Sequence, residues 1–443
     1  MTHVSATLCV FALSLLGVSL AVARREPPQD AQSPHSLDQL VRQSAVTLEE
    51  GRRIFRYDTF GDEDFWGGEL RLHEAIAGSG LGGVGPGLSP KAALELGLVV
   101  DAESLQPDVL KALRQGTLNL DDPANTVALL ESNAVVGVKG FFDSSNHLSS
   151  VGITCALCHS TVDHFVAPGI GRRLDGWANR ALNVGAIVSL APNLAPFSNL
   201  LNLPQDDIRR VLHTWGPGKF DAALVLDGKA FQPDGRTAAT LIPPAFGLAG
   251  VNLHTWTGWG GVSHWNAFVA NIEMHGKGRF RDARLDNAAQ FPVAAAAGFG
   301  NIRSETDLIS DKLPALHFYQ LALQAPKAPE GSFDPEAAER GDELFEGRAK
   351  CSTCHVEPTF SEPGWNMHTG AEIGIDNFQA DRAPDHRYRT TPLRGLWTHQ
   401  VGGFFHDGRF ATLEEVVDHY DATFGLGLSA QDKADLVQYL LSI

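Results

Sequence analysis

The segments Cys155-Ala156-Leu157-Cys158-His159 and Cys351-Ser352-Thr353-Cys354-His355 are two copies of one pattern, Cys-x-x-Cys-His. Two thiols three positions apart on a helical turn can reach the two vinyl groups of one porphyrin, and the adjacent histidine then points its imidazole at the iron. This spacing is the attachment signal of haem c, in which histidine supplies an axial ligand. The sequence therefore predicts two covalently bound haem c groups, held by Cys155, Cys158, His159, Cys351, Cys354 and His355.

A thiol redox pair or a zinc site is the alternative reading of a single Cys-x-x-Cys pair. A tetrahedral zinc site would need all four cysteines, yet the two motifs are 196 positions apart. It would also leave the histidine after each pair unexplained. The chain has five cysteines, and the fifth, Cys9, lies in an apolar N-terminal stretch. The motifs therefore leave no cysteine of the mature chain for a structural disulfide.

The N-terminus predicts export. Residues 4–23 carry no charged side chain and end in Ala21-Val22-Ala23. An apolar stretch with this small-x-small end fits cleavage by signal peptidase after Ala23. We therefore expect a signal peptide over residues 1–23, a flexible mature N-terminus over residues 24–40, and a periplasmic location. Because no lysine or arginine precedes the apolar stretch, an uncleaved membrane anchor is the alternative.

The composition limits the class of partner. The formal net charge is −17 over 443 residues. Such an acidic chain disfavours nucleic acid and anionic membrane surfaces as partners. It is compatible with a basic redox protein. The sequence gives no indication of the oligomeric state.

The length indicates more than one domain. A proline-rich stretch from Ala325 to Pro329 separates two parts. Residues 41–325 form a predicted N-terminal haem c domain with insertions, and residues 331–443 a predicted C-terminal cytochrome c domain. Strand patterns are sparse in both parts. We therefore expect a mainly α fold of two tandem cytochrome-c-like haem domains with long loops and insertions.

Three helices are predicted in the C-terminal part. Asp334-Pro335 marks the start of a helix that continues to Cys351. Thr412-Leu413-Glu414-Glu415 is a capping box that opens a helix toward Tyr420. Ser429-Ala430-Gln431-Asp432 is similar and opens the last helix. That helix has an apolar stripe, which consists of Leu436, Val437, Leu440 and Leu441.

The second axial position of each iron is open to several residue types. Methionine is a frequent ligand in electron-transfer cytochromes, and Met274 and Met367 are the candidates beyond Met1. The 17 histidines make bis-histidine ligation available, and tyrosine or an open position are further options. For the first haem, spacing favours none of four candidate histidines, which are His73, His164, His254 and His264.

The C-terminal motifs resemble a known family. The stretch from Arg389 to Leu396, Arg-Thr-Thr-Pro-Leu-Arg-Gly-Leu, and the stretch from Gly403 to Tyr420, which contains Phe-His-Asp-Gly-Arg-Phe, are similar to the bacterial di-haem cytochrome c peroxidase superfamily. That superfamily includes the di-haem enzyme that matures methylamine dehydrogenase. The chain looks like a member with a long insert before its first motif.

This resemblance implies roles for three residues. Tyr420 matches the position of a distal ligand to the second haem iron, with His419 as the alternative. Trp256, in Trp-Thr-Gly, matches the family tryptophan that lies between the haems. Glu273, in Asn-Ile-Glu-Met, matches an acidic residue that assists O–O cleavage by moving a proton. A calcium ion between the haems is possible on family grounds, but no ligand set for it is apparent.

The resemblance further implies an oxidoreductase of the peroxidase type. On this hypothesis a small redox protein gives electrons to the C-terminal haem, and the N-terminal haem reduces hydrogen peroxide or another small oxidant. Trp256 would bridge the two haems, and Glu273 would act as acid and base. Two alternatives stay open. One is a non-enzymatic electron-transfer cytochrome, and the other is a di-haem oxygenase or protein-modifying oxidase, since long-insert relatives include a rubber oxygenase.

Overall fold

The structure, a computed structural model, describes residues 34–399 and 401–443. Residues 47–443 form one compact unit, and the described residues before it, 34–46, are helical. The predicted signal peptide and Cys9 lie outside the described residues. The first helix begins at Pro34, and residues 34–40 of the predicted flexible terminus are therefore helical. No described helix has the length and apolar character needed to cross a bilayer.

The described chain is mainly helical, as the sequence predicted. Its α-helices are α1 (Pro34–Tyr57), α2 (Leu72–Ala77), α3 (Pro90–Glu95), α4 (Pro107–Arg114), α5 (Pro123–Glu131), α6 (Ala156–His159), α7 (Val184–Ser189), α8 (Ala195–Leu201), α9 (Gln205–His213), α10 (Leu224–Asp227), α11 (Val262–Phe268), α12 (Pro292–Ala297), α13 (Leu313–Ala322), α14 (Pro335–Glu346), α15 (Leu413–Phe424) and α16 (Ala430–Ser442).

The strands are short, and each pairs with one other strand. They are β1 (Val100–Asp101), β2 (Val138–Phe142), β3 (Leu148–Ile153), β4 (Ser160–Val162), β5 (Ile170–Gly171), β6 (Arg173–Asp175), β7 (Lys219–Phe220), β8 (Thr240–Leu241), β9 (Arg279–Arg281), β10 (Asn301–Arg303), β11 (Met367–His368) and β12 (Tyr388–Arg389). The pairs are β1 with β5, which is parallel, and the antiparallel pairs β2 with β3, β4 with β6, β7 with β8, β9 with β10, and β11 with β12.

Helix α14 starts where the sequence predicts and ends earlier. The Asp334 side chain accepts hydrogen bonds from two backbone amides of the first turn, and Pro335 occupies the first helical position. The helix ends at Glu346 because Gly347 follows with a non-helical backbone. The prediction of a helix that continues to Cys351 is therefore wrong. That cysteine begins a separate 3-10 turn, which runs to Thr353.

The caps of the last two helices follow the sequence pattern closely. Thr412 accepts from the amide of Glu415, but the Glu415 carboxylate bonds the amide of Ala411, so the reciprocal half of the predicted box shifts by one residue. At α16 the box is complete, since Ser429 and Asp432 each accept from the other's backbone amide. The Thr412 cap fixes the residue at which α15 begins, and this start determines which side chains of the helix face the core.

Buried apolar clusters surround each motif. Among the described residues, one cluster consists of residues 344–443 alone and packs α14, α15 and α16 around Cys351. Helices α14 and α16 approach closely at Gly341, where a Cβ would lie 2.2 Å from the carbonyl oxygen of Asp435. A larger cluster spans residues 65–242 and includes Leu157 and Cys158. Each motif thus lies against a different part of the core.

Candidate functional site

The first motif opens onto an internal cavity of about 300 Å³. Helix α6 carries Cys158 and His159 into its wall. The Nδ1 atom of His159 lies 3.1 Å from the carbonyl oxygen of Pro243. Because a carbonyl only accepts hydrogen bonds, Nδ1 carries the proton and Nε2 keeps its lone pair. Burial lowers the pKa of His159 to about 4, and the imidazole is therefore neutral and able to bind a metal through Nε2.

The second motif repeats this arrangement in a cavity of about 470 Å³. Cys351, Cys354 and His355 line it, and Nδ1 of His355 lies 2.9 Å from the carbonyl oxygen of Phe360. Burial again lowers the pKa of the histidine. An outer hydrogen bond that fixes the tautomer is typical of metal-binding histidines. Both sites therefore hold a neutral imidazole beside two thiols, which is the donor set that a covalently attached haem requires.

The thiols are set in apolar surroundings. Burial raises the pKa of both Cys155 and Cys158 to about 12 and that of Cys351 to about 11. Disulfide exchange and zinc binding both use the thiolate form. A thioether bond to a porphyrin leaves no charge on sulfur. The environment of these thiols therefore disfavours a redox thiol pair and a zinc site, and it fits attachment of haem.

The two cavities have two lining residues in common. Among the described residues, only Trp256 and Arg389 line both of them. The indole Nε1 of Trp256 donates to the carbonyl oxygen of Leu241 at 2.8 Å, so the ring is held in one orientation. The backbone amide of Arg389 donates to the carbonyl oxygen of Trp256 at 3.2 Å. Trp256 therefore lies where the two cavities meet, and its place between two haems stays a prediction.

Glu273 faces the first cavity. It ends a short π-helical segment, Val269–Glu273, that continues directly from α11. Such π-turns re-aim side chains and occur often at functional sites. Burial, together with the charge of Asp221, raises the pKa of Glu273 to about 8. The carboxyl group therefore carries a proton at neutral pH, and it can give that proton to a molecule bound in the cavity.

Tyr420 and His419 lie on α15 but face different surroundings. Tyr420 lines the second cavity and stacks on Phe424 with ring centroids 5.7 Å apart. His419 does not line the cavity, and its Nε2 donates to the carbonyl oxygen of Ile373 at 2.9 Å. Of the two, Tyr420 alone presents an atom toward the second site.

The structure separates the four candidate histidines for the first iron. His254 lines the first cavity, while His73, His164 and His264 do not. His254 is 6% exposed, and its Nδ1 has no hydrogen-bond partner among the described residues, which is equally true of Nδ1 of His73 and Nε2 of His264. His164 accepts from the amide of Gly169, and His264 lies 3.7 Å from Asp282.

Only one of the two candidate methionines lines a cavity. Met274 is buried and lines the first cavity. Met367 lies in β11, where its sulfur approaches Gly258, and it lines neither cavity. Met274 is therefore the methionine that reaches a candidate haem site.

Sequence reasoning missed a buried ion-pair cluster beside Glu273. Arg382 is 2% exposed, bonds Asp221 at 2.9 Å and bonds Asp227 at 2.8 and 3.0 Å. It lines the first cavity although it follows the second motif in the chain. No motif marks these residues, because the partners are about 155 positions apart and meet only through the fold.

One further group of potential metal ligands occurs among the described residues. It consists of Cys354, Glu362 and His368. His368 bonds Glu362 at 2.5 Å, and Cys354 belongs to the second haem motif. Calcium takes oxygen ligands, so this sulfur- and nitrogen-containing group gives no support to a calcium site.

The chain is similar to one curated relative, the methylamine utilization protein MauG of Methylorubrum extorquens. The two are 34% identical over 88 residues, which is 19% of this chain and 24% of the relative. The match thus spans about a quarter of the relative's length. No family model matches the chain.

Two solved structures show partial similarity. A MauG-like protein associated with microbial copper homeostasis matches 49% of this chain and 76% of its own at 21% identity, with a TM-score of 0.32. The hydrazine synthase of Kuenenia stuttgartiensis matches 48% of this chain and 76% of its own at 19% identity, with a TM-score of 0.27.

Proposed function

Since the chain resembles the di-haem cytochrome c peroxidase and MauG superfamily, we propose that it is a di-haem c oxidoreductase of the peroxidase type. The observation that carries this proposal is the repeated geometry of the two cavities. Each has a Cys-x-x-Cys-His motif in its wall and a histidine whose Nδ1 is tied to a carbonyl oxygen. Trp256 lines both cavities, as expected of a residue placed between two redox centres.

The first cavity is the proposed site of peroxide reduction. Cys155, Cys158 and His159 would hold a haem in this cavity, and the haem would supply the iron chemistry that breaks an O–O bond. Overall, hydrogen peroxide takes two electrons and two protons and gives two molecules of water. Glu273, protonated at neutral pH by virtue of its raised pKa, holds one of those protons at its carboxyl oxygen. The neutral His254 lines the same cavity and offers a nitrogen to the bound molecule or to the iron.

The second cavity is the proposed site of electron transfer from a small redox protein. Tyr420 lines it and is the proposed distal ligand of the second iron. The apolar surroundings that raise the pKa of Tyr420 keep its phenol protonated in the absence of a metal. The net charge of −17 suits a basic donor protein.

Export to the periplasm, with cleavage after Ala23, is part of the same proposal, because haem c and peroxide chemistry fit that compartment.

The experiment is a set of spectra of the purified full chain with and without hydrogen peroxide. A pyridine haemochrome first measures how much haem c is attached. Ultraviolet-visible and EPR spectra then detect a high-spin haem that reacts with peroxide. Two low-spin haems that stay unchanged in peroxide, also after half-reduction, would exclude the peroxidase and leave an electron carrier.

Matched variants assign the two roles. Replacing Cys155 and Cys158 by alanine should remove one haem and abolish the reaction with peroxide. Replacing Cys351 and Cys354 by alanine should also remove one haem, yet it should leave a first site that still binds peroxide and loses turnover with the donor. If replacement of Cys351 and Cys354 abolishes peroxide binding and replacement of Cys155 and Cys158 does not, the roles of the two sites are reversed.

An oxygenase acting on an organic substrate is the second candidate function. The first cavity extends along apolar side chains of the segment before the motif, among them Leu72, Leu94 and Leu129. Peroxide and water need no such wall, whereas an apolar substrate would be stabilised by it. Incubation with dioxygen and apolar test compounds, followed by mass spectrometry of the products, distinguishes this candidate from a peroxidase.

A further inference from the structure

Arg389 occupies the boundary between the two cavities and lines both. Its Nη1 donates to the carbonyl oxygen of Leu253 at 2.9 Å, and its Nε donates to that of Thr255. The guanidinium is thereby fixed against the segment that carries Trp256. Its third nitrogen, Nη2, makes no hydrogen bond to the described residues. One donor of a rigidly held cation is therefore left for a partner that the chain itself does not provide.

The positive charge of Arg389 is also uncompensated. Burial alone lowers the pKa of Arg389 to about 9, and no carboxylate of the described residues raises it again. The contrast is Arg382, which is 2% exposed and bonds two aspartates, whereas Arg389 is half-buried. At neutral pH the Arg389 guanidinium stays charged. Charged groups that are withdrawn from water are normally paired, so an anion bound in either cavity beside Arg389 would be stabilised there.

Positive charge without a carboxylate partner also occurs at a second arginine near the cavities. Burial, together with the charge of Arg389, lowers the pKa of His254 to about 4, and both residues line the first cavity. Arg180 is a second buried cation without a partner, since it is 7% exposed and all three of its guanidinium nitrogens lack hydrogen bonds to described residues. Burial, together with the charge of Arg180, lowers the pKa of His399, a residue that lines the second cavity. Both cavities are therefore approached by unpaired positive charge.

We propose that Arg389 binds a carboxylate of a haem at the boundary of the cavities and that its charge raises the reduction potential of that haem. Haem c carries two propionates on an otherwise apolar ring, and the free Nη2 of Arg389 can donate a charge-assisted hydrogen bond to a carboxylate. A cation beside the ring stabilises the reduced form, which has one positive charge less than the oxidised form. The same side chain orients the Trp256 segment through its two carbonyl contacts. This proposal rests on the presence of haem c in both cavities.

The test is a redox titration of the full-length haem protein, followed by absorbance. Arg389→Gln removes the charge and should lower the ratio of reduced to oxidised haem at fixed ambient potential about tenfold for at least one haem, a fall of about 59 mV. Arg389→Lys keeps the charge and should restore most of that loss. The matched control is Arg387→Gln, which removes an exposed arginine two positions away and should change the ratio far less.

Unchanged potentials in R389Q with normal haem content overturn the proposal, and so does R389K if its potentials fall as far as those of R389Q. If R389Q attaches no haem, the proposal stands only if R389K attaches haem and keeps potentials near those of the parent. Titration with inorganic phosphate at constant ionic strength separates a free anion from a propionate. Potentials that follow phosphate in the parent but not in R389Q assign Arg389 to a free anion and overturn the proposal. A parent protein without haem c instead refutes the proposed function, before Arg389 is tested.

Discussion

Replacing Asp221 with asparagine tests how the first cavity holds a proton on Glu273. Burial is the larger cause and the charge of Asp221 the smaller cause of the rise in the pKa of Glu273 from 4.5 to about 8. Removing a neighbouring negative charge makes ionisation easier and lowers the pKa. Because Asp221 accounts for less than half of the rise, we expect D221N to lower the pKa of Glu273 by about 1, equivalent to about 1.4 kcal/mol.

The effect should appear in a defined pH window. Burial, opposed by the charge of Arg382, raises the pKa of Asp221 to about 6. Above about pH 6 Asp221 is ionised and acts on Glu273, and below that pH it is neutral and the substitution changes little. Glu273 loses its proton as the pH rises through about 8. The difference between the two proteins is therefore largest between these values.

The assay is the initial rate of peroxide reduction, measured from acid to alkaline pH with a saturating electron donor. The rate of the parent should fall as the pH rises through about 8, and that of D221N about one pH unit earlier. Glu273→Gln should lose this alkaline fall altogether, and its rate should drop about 10²–10⁴-fold.

Asp227→Asn is the matched control. Asp227 bonds the same arginine as Asp221 but does not act on the pKa of Glu273. D227N should therefore keep the alkaline fall near pH 8. If D221N also keeps it there, with normal haem content and fold, the reasoning about the Asp221 charge is wrong.

Three further outcomes are expected. Tyr420→Phe should change the EPR and absorption spectra of the second haem, whereas His419→Gln should leave them unchanged, because only the tyrosine lines that cavity. Trp256→Phe should slow electron transfer between the haems in flash or stopped-flow experiments while haem content stays the same, and an unaltered rate would contradict the bridging role. Arg382→Met should lower the free energy of unfolding in urea by about 3–5 kcal/mol, since it leaves two buried aspartates unpaired. The double variant Arg382→Met with Asp227→Asn should lose less free energy of unfolding than the sum of the two single losses.

Local patterns in the sequence predicted the parts of the structure that depend on neighbouring residues. The two Cys-x-x-Cys-His motifs need only one turn of chain to place two thiols and an imidazole together. The caps at Asp334, Thr412 and Ser429 work because a side chain reaches an amide two or three residues away. The helix from Pro335 was predicted too long, since the backbone at Gly347 ends it before the motif.

The fold decided what spacing could not. His73, His164, His254 and His264 are equivalent in the sequence, and only the path of the chain brings His254 to the first cavity. Tyr420 and the histidine before it differ by about 100° around one helix, so the packing of α15 selects which of them faces the second cavity.

Charge compensation is also a property of the tertiary structure. The family resemblance singled out Glu273, but nothing in the sequence indicated that Glu273, Asp221 or Arg389 would be buried or paired. The fold buries Glu273 near Asp221 and leaves Arg389 without a carboxylate at the boundary of two cavities. The sequence itself therefore predicted where two haems would attach. The environment that sets their protons, ligands and potentials depends on contacts between residues far apart in sequence, because desolvation and Coulomb interactions act through space.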